Sequence, residues 1–440
     1  MSKILISPLG SGQFLKEEGW RREYVTANYK FEDSQIEYET SFVAAALAEH
    51  LDVDRIYFLG TVRSMWEGVY EYFAENSEGD VSVEYYTRLA DKIKNSDIKE
   101  SFLQENDLKH LNSVIDKYLH PGESSLKRGS KCKIITYGVN EEEIWENFDT
   151  IIGLKEEFSQ GDKIYLDITH SFRSIPMLMY LLMDFVQTLQ TTKIQLAGIY
   201  YGMFQAKNEY TPVVDLSPLF EISKWIRGVY DFTNYGNGYL ISELVNSEEI
   251  SNSLKRVSNL VNINLLQNLY NQIKNLRNLI QDSSSNNVFK YIEPQIKTFL
   301  NRFADLESEW EFQFEISKWY AENKNYVNAY ICLTESILTY LCELYNFELD
   351  DYEKRKKVKS LIANSNNAKK HSHNKAFAEL NSLFIKINKV RQNVAHGGIT
   401  HNMRNENYDI ANFKKYQSKV KNIIKKDKLE NLPEMIGLKY

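Results

Sequence analysis

The sequence predicts an α/β domain followed by an all-α one, on three observations. Short β-rich runs alternate with helical patterns up to about Asp215, and no convincing strand follows Leu219. The charge balance also reverses: residues 351–440 hold 20 lysines and arginines against 8 acids, a net of +12 in a chain of −7, which leaves −19 for residues 1–350. Alternation of strand and helix implies βαβ units and a parallel, doubly wound sheet.

The strand runs, in order, are Lys3–Ser7, Arg55–Leu59, Lys131–Tyr137, Lys163–Ile168 and Ile194–Tyr201. Between them lie helical patterns such as Thr40–Leu51, Met65–Ala74, Glu141–Phe158 and Ile175–Leu189. Farther on, Leu266, Leu269, Ile273, Leu276 and Ile280 recur at spacings of three and four, the apolar stripe of a helix. That stripe suits ordinary core packing or a short coiled-coil pairing. Phe312–Tyr345 and Phe377–Val394 read as strong amphipathic helices, with loose polar stretches at Gln281–Asn287 and Asn364–Asn374.

Bulk composition narrows the class. A chain of 440 residues with 43% hydrophobic and 26% charged content is ordinary for two or three globular domains. The longest apolar stretch, Ile175 to Val186, contains Pro176 and Asp184 and is too short to cross a bilayer. Lys3 begins a strand directly, without a signal-peptide pattern, so the expected location is the cytoplasm, away from membranes. Cys132, Cys332 and Cys342 make no metal pattern. The basic C-terminal part fits either a polyanion partner or a solvated face.

In a doubly wound sheet, ligands sit beyond the carboxyl ends of the strands. Three loops fall there: Pro8-Leu9-Gly10-Ser11-Gly12-Gln13, Gly60-Thr61-Val62-Arg63-Ser64, and Thr169-His170-Ser171-Phe172-Arg173-Ser174. Gly10 and Gly12 suit either a tight turn or a backbone cradle for phosphate. A redox dinucleotide fingerprint is not met, because Leu15 stands where its third glycine belongs. Asp167 suits a cap for the turn after its strand. His170 alone could be a satisfied histidine or a ligand contact. Arg173 adds a planar fork for phosphate, and Phe172 can pack under the loop or against a base. The density of this cluster points to a ligand site.

A second constellation is Val390-Arg391-Gln392-Asn393-Val394-Ala395-His396-Gly397-Gly398. Leu380, Leu383, Ile387, Val390 and Val394 form the apolar stripe leading into it. Residues five apart on an ideal helix point about 140° away from each other. Arg391 and His396 therefore converge only if the helix ends between them, and the two glycines signal an end nearby. Arg391 could hold a phosphate while His396 moves a proton, the minimal kit for RNA cleavage without metal. On these residues alone, a surface arginine and a histidine favoured by the helix dipole is the simpler account. Neither a His-Glu-x-x-His zinc motif nor a Gly-x-Ser-x-Gly nucleophile elbow is present.

Taken together, ILISPLGSGQF, YETSF, FLGTVRSMWE, YLDITHSFRSIP and RQNVAHGG, in that order, resemble the CRISPR-associated accessory ribonucleases of type III systems. That family joins a CARF domain (CRISPR-associated Rossmann fold) to a C-terminal HEPN domain. The resemblance implies an α/β Rossmann-like CARF domain at 1–218, a helical linker region at 219–300 and an all-α HEPN domain at 301–440. It also implies cyclic oligoadenylate as activator, the four-membered ring (cyclic tetra-adenylate) favoured, bound by Ser11, Gly12, Gln13, Thr61, Thr169, His170, Ser171, Phe172 and Arg173. The family's Arg-x4–6-His ribonuclease motif maps onto Arg391 and His396. Gln392 stands where Asn, Asp or His often follows the arginine, and Asn393 comes next as a candidate helper. The implied activity is metal-independent cleavage of single-stranded RNA by a homodimer or higher oligomer, with no cofactor. The other reading is a non-catalytic sensor whose helical part binds nucleic acid or protein.

Overall fold

Three strands have nearly every residue buried: Lys3–Leu9 (β1), Arg55–Gly60 and Lys163–Asp167. Strands buried on both faces belong in the middle of a parallel sheet covered by helices on each side. The computed structural model shows such a sheet. It describes residues 1–14, 22–77, 80–97, 100–122, 129–170, 172, 174–188, 194–281, 288–364, 375–395, 406–424 and 429. Two compact units divide the chain, Met1–Phe220 and Glu221–Tyr440.

After β1 come Gln13–Phe14 (β2), Arg22–Glu23 (β3), Ala27–Phe31 (β4), Glu37–Thr40 (β5) and helix Val43–Leu51 (α1). Arg55–Gly60 (β6), Trp66–Glu75 (α2), Val83–Asn95 (α3), Lys109–Leu119 (α4), Lys131–Ile134 (β7) and Glu141–Gly153 (α5) follow. The unit continues with Lys163–Asp167 (β8), Ser174–Thr188 (α6), Gln195–Gly202 (β9) and Thr211–Asp215 (β10). Eight strands form one sheet in the order β5-β4-β10-β9-β8-β1-β6-β7, and β2 pairs with β3 separately. The five predicted strands, β1, β6, β7, β8 and β9, run parallel, Leu5 lying opposite Ile56 on one side and Tyr165 on the other.

The expectation of a wholly parallel sheet needs correction. β10 is antiparallel to β9, and β5 is antiparallel to β4, so the sheet is mixed. Successive side chains of β1 point to opposite faces. Leu5 joins a core with α1, α2, α3 and α4, while Ile4 and Ile6 join another with α5 and α6.

The second unit is helical among its described residues. Its elements are Pro218–Tyr235 (α7, starting just before the boundary), Tyr239–Leu244 (α8), Glu248–Asn262 (α9), Leu266–Gln281 (α10) and Phe289–Ala304 (α11). Glu309–Glu322 (α12), Tyr326–Leu344 (α13), Tyr352–Ala363 (α14), Lys375–Ala395 (α15) and Glu406–Ile424 (α16) complete it. The predicted stripe on α10 is buried between α9 and α11. The single long helix expected over Phe312–Tyr345 is instead two. Lys324, at φ 64, turns the chain left-handed between them, and Asn325 caps α13. α13 is buried nearly all round, as the centre of a bundle requires, and packs on α12, α14, α15 and α16. One apolar core runs from Trp225 to Leu429, so the helices expected as a linker share it with those after them. The loose stretches expected at Gln281–Asn287 and Asn364–Asn374 lie almost wholly outside the described residues. No described helix is long and apolar enough to cross a membrane.

At the amino ends of the central strands, Asp162 has no exposed surface. Its carboxylate accepts from the Ser2 and Ser159 amides at 2.8 Å and from Arg55 Nη2 at 3.1 Å. Asp162→Ala would strand the Arg55 guanidinium, itself 4% exposed. A loss of about 3–5 kcal/mol in urea unfolding of the first unit is expected. Ligand affinity at the opposite edge of the sheet should not change. A loss below about 1 kcal/mol would contradict this role.

Candidate functional site

At the carboxyl end of β8 the chain meets a chain of hydrogen bonds. Asp167, without exposed surface, accepts from Ser7 Oγ of β1 at 2.6 Å and from the Thr169 amide at 2.9 Å. Thr169 Oγ1 in turn accepts from the Gly202 amide at the end of β9, 2.9 Å away. Asp167 therefore caps the turn, as its position suggested, and also links three strand ends. At Gly202 the packing is close: a Cβ there would come within 3.1 Å of both Tyr29 and Val43.

A pocket of about 260 Å³ opens above this chain. Thr169 and His170 form one wall, and Tyr201, Gly202, Phe204 and Gln205 from the end of β9 form another. Gly12, Tyr24, Val25, Tyr29 and Ser41 close it. His170 lies flat on Tyr24, with ring centroids 4.4 Å apart and planes 4° from parallel. Its Nε2 is enclosed and has no hydrogen-bond partner among the described residues. Burial pushes the imidazole below its ordinary range, and Asp167 pulls the other way. Burial likewise pushes the Tyr24 hydroxyl far up, opposed by the Gly10 backbone, and raises Tyr29 to about 12. Aromatic faces with buried polar tips suit a planar, polar ligand.

The other sequence-predicted ligand residues are placed differently. Gly12 lines the pocket at φ 68, a conformation that favours glycine. Ser11 is exposed beside it and offers its carbonyl to Arg22 Nη1 at 2.9 Å. Gln13 contributes backbone to β2. Thr61 does not line the pocket. It is 4% exposed, its amide donates to Ser64 Oγ at 2.9 Å, and its carbonyl accepts from the Trp66 indole at 2.9 Å, so it shapes the loop. Phe172 is half exposed, 5.7 Å from the Tyr137 ring. Ser171 and Arg173 lie outside the described residues.

Sequence reasoning missed Tyr24, Tyr29, Tyr201 and Gln205. The strand-end rule that singled out Thr169 also covers Tyr201 and Gly202 once β9 is placed beside β8. Tyr29 carried no signal because β4 was not read as a strand, and Tyr24, just after the two-residue β3, carried none either. A buried ion pair was missed too: Arg22 meets both carboxylate oxygens of Glu67 at 2.8 Å. Burial raises Glu67, and the Arg22 charge opposes it.

In the second unit, α15 runs unbroken through Arg391 to Ala395, its last described residue. Ile387 and Val390 are fully buried on the stripe, and Arg391 is partly buried. Its Nε is enclosed without a hydrogen-bond partner among the described residues. Asn393 is partly buried on the same helix, and His396 lies outside the described residues. A groove of about 270 Å³ between α15 and α16 presents Lys386, Lys415 and Lys419 with Glu379. No group of three or more His, Cys, Asp or Glu is placed to hold a metal among the described residues.

Residues 4–204 match the family described as CRISPR system endoribonuclease Csx1, CARF domain. Residues 221–309 match the second domain of CRISPR-associated protein MJ1674. The MJ1674 protein of Methanocaldococcus jannaschii is 42% identical over 426 residues, 94% of this chain. The chain spans 66% of that relative's length. A solved structure of Enterococcus italicus Csm6 bound to cyclic hexa-2'-fluoro-hexa-dAMP covers 99% of this chain and 95% of its own, at 11% identity and a TM-score of 0.41. Residues 4–204 therefore form a Csx1-type CARF domain, and a mostly helical region follows it.

Because the buried His170 binds a proton less readily than a free imidazole, the unfolded chain holds more protons below about pH 6.5. Its contribution to stability is present above that value and is lost as pH falls through it. His170→Phe keeps the ring on Tyr24 and removes the titration. Calorimetric melts at pH 7.5 and 5.5 should show a larger acid-induced fall in Tm for wild type than for this variant. Equal falls would place His170 in solvent.

Proposed function

We propose that this CARF-domain protein is a cyclic-oligoadenylate-activated, metal-independent endoribonuclease that cuts single-stranded RNA as an accessory of a type III CRISPR system. One observation carries the reading: a CARF pocket walled by stacked aromatics shares a chain with Arg391, near the end of α15, and with His396, five positions on in the sequence of a basic region. The pocket's rings suit adenine faces, and Ser171 and Arg173, next along the loop, suit the phosphates between them. Cyclic tetra-adenylate is the activator favoured. The domains are assigned as CARF at 1–218, helical linker at 219–300 and HEPN at 301–440, in a cytoplasmic protein.

A homodimer supplies what one chain lacks. On the first unit, Ile144, Trp145, Met177, Leu181 and Phe185 of α5 and α6 are between 43% and 67% exposed, and Phe148 links the rings of Trp145 and Phe185. An exposed apolar patch of this kind supports self-association.

In the cleavage step, the RNA 2'-oxygen attacks the adjacent phosphorus and the bond to the 5'-oxygen breaks. One protomer's His396 takes the 2'-proton, and its partner's supplies a proton to the departing 5'-oxygen. Arg391, charged at every working pH, offsets the charge on the phosphorane, with Asn393 as helper. The products carry a 2',3'-cyclic phosphate and a 5'-hydroxyl.

RNA should therefore be cut in EDTA when cyclic tetra-adenylate is added, and RNA with a 2'-deoxy sugar at the cut should resist. His396→Ala should abolish cutting and leave activator binding unchanged. Arg173→Ala and His170→Ala should each weaken activator binding by about 1.5–3 kcal/mol in calorimetry. Products bearing a 5'-phosphate, or a fully active His396→Ala variant, would overturn the mechanism.

A further inference from the structure

Arg22 and Glu67 touch no ligand pocket, yet they are 4% and 2% exposed and lie under the loops that frame one. Arg22 belongs to β3 and Glu67 to the first turn of α2. Arginine has five N–H donors in a fixed fork, and here every one meets an acceptor. Nε and one Nη2 donor take the Glu67 carboxylate, both at 2.8 Å. Nη1 donates to the carbonyls of Ser11 at 2.9 Å and Arg63 at 2.7 Å, and Nη2 also reaches Ser64 O at 3.2 Å. One guanidinium thus spans the loop after β1, the loop after β6 and the start of α2. The two loops are further tied by the Met65 amide to Gly10 O at 2.9 Å and by Ser64 Oγ to Leu9 O at 2.7 Å. Two residues beyond Arg22, Tyr24 forms the stack with His170.

Neutralising a buried carboxylate does not require this arrangement. A buried ion pair is often replaceable by apolar side chains without loss of stability. What apolar side chains cannot reproduce is the grip on three backbone carbonyls, and lysine, with its donors at a single point, cannot span them either.

We propose that the Arg22–Glu67 pair is the positioning device of the CARF pocket. It sets the Ser11–Gly12 loop against the 61–64 loop and plants Tyr24 under His170, without touching the ligand. The ligand half of this inference rests on the pocket being the site of cyclic oligoadenylate.

The test uses the full chain in two variants, Arg22→Lys and the double change Arg22→Met with Glu67→Leu, which leaves no charge stranded. Binding of cyclic tetra-adenylate is measured by calorimetry and backbone hydrogen exchange by mass spectrometry. Both variants should bind at least tenfold more weakly. Exchange should quicken in peptides covering 7–14 and 60–66 and stay unchanged in 163–167. A folded double variant with unchanged exchange in those loops would overturn the proposal, as would quickened loops with wild-type affinity. If wild type binds no ring size while the loops still quicken, the reading of the pocket falls and the pair's hold on the loops stands.

Discussion

Asp167 is a carboxylate with no exposed surface, and both its oxygens are occupied. Burying such a group without hydrogen bonds would cost several kcal/mol, so the fold must supply its partners in every molecule that closes. They come from Ser7 on β1 and from the Thr169 amide, and Thr169 then reaches β9 through Gly202. The carboxyl ends of three neighbouring strands are thereby fixed to one another. Everything the pocket offers, from the His170 stack to the Tyr201 wall, is built on that edge.

The parallel centre of the sheet was legible because its strands are continuous apolar runs, which follow from burial on both faces. β4, β5 and β10 were not. β4 and β5 alternate buried and exposed residues over four or five positions, and β10 pairs on one side with β4, far away in the chain. Their absence from the reading made the sheet look wholly parallel and hid Tyr29. The break between α12 and α13 was missed for a different reason. Four polar residues, Glu322-Asn323-Lys324-Asn325, mark it, but the apolar periodicity resumes at Tyr326 and was read straight through. Thr169 and His170 stood out as polar residues directly after a buried strand. Thr61 stood out on the same ground, but there the loop uses its backbone, with its side chain buried beside Ser64. The Arg22–Glu67 pair, 45 residues apart in sequence, had no local signature.

The charge reversal falls within the second unit. Residues 1–350 are acidic, and their first unit holds a pocket whose described walls contain aromatic and small polar side chains but no lysine or arginine. The last 90 residues are basic, with three lysines in one groove and Arg391 farther along the same helix, α15. Under the proposed reading, the basic groove would meet the phosphates of RNA.

In this account, activator binding and RNA cutting are linked through two arrangements of the protein, one of which the activator prefers. The most direct measurement is the single-turnover cleavage rate constant at saturating RNA, with and without saturating cyclic tetra-adenylate. A rise of about tenfold or more, roughly 1.4 kcal/mol of coupling, is the result the account predicts. A rate constant that does not move while the activator is demonstrably bound would contradict it.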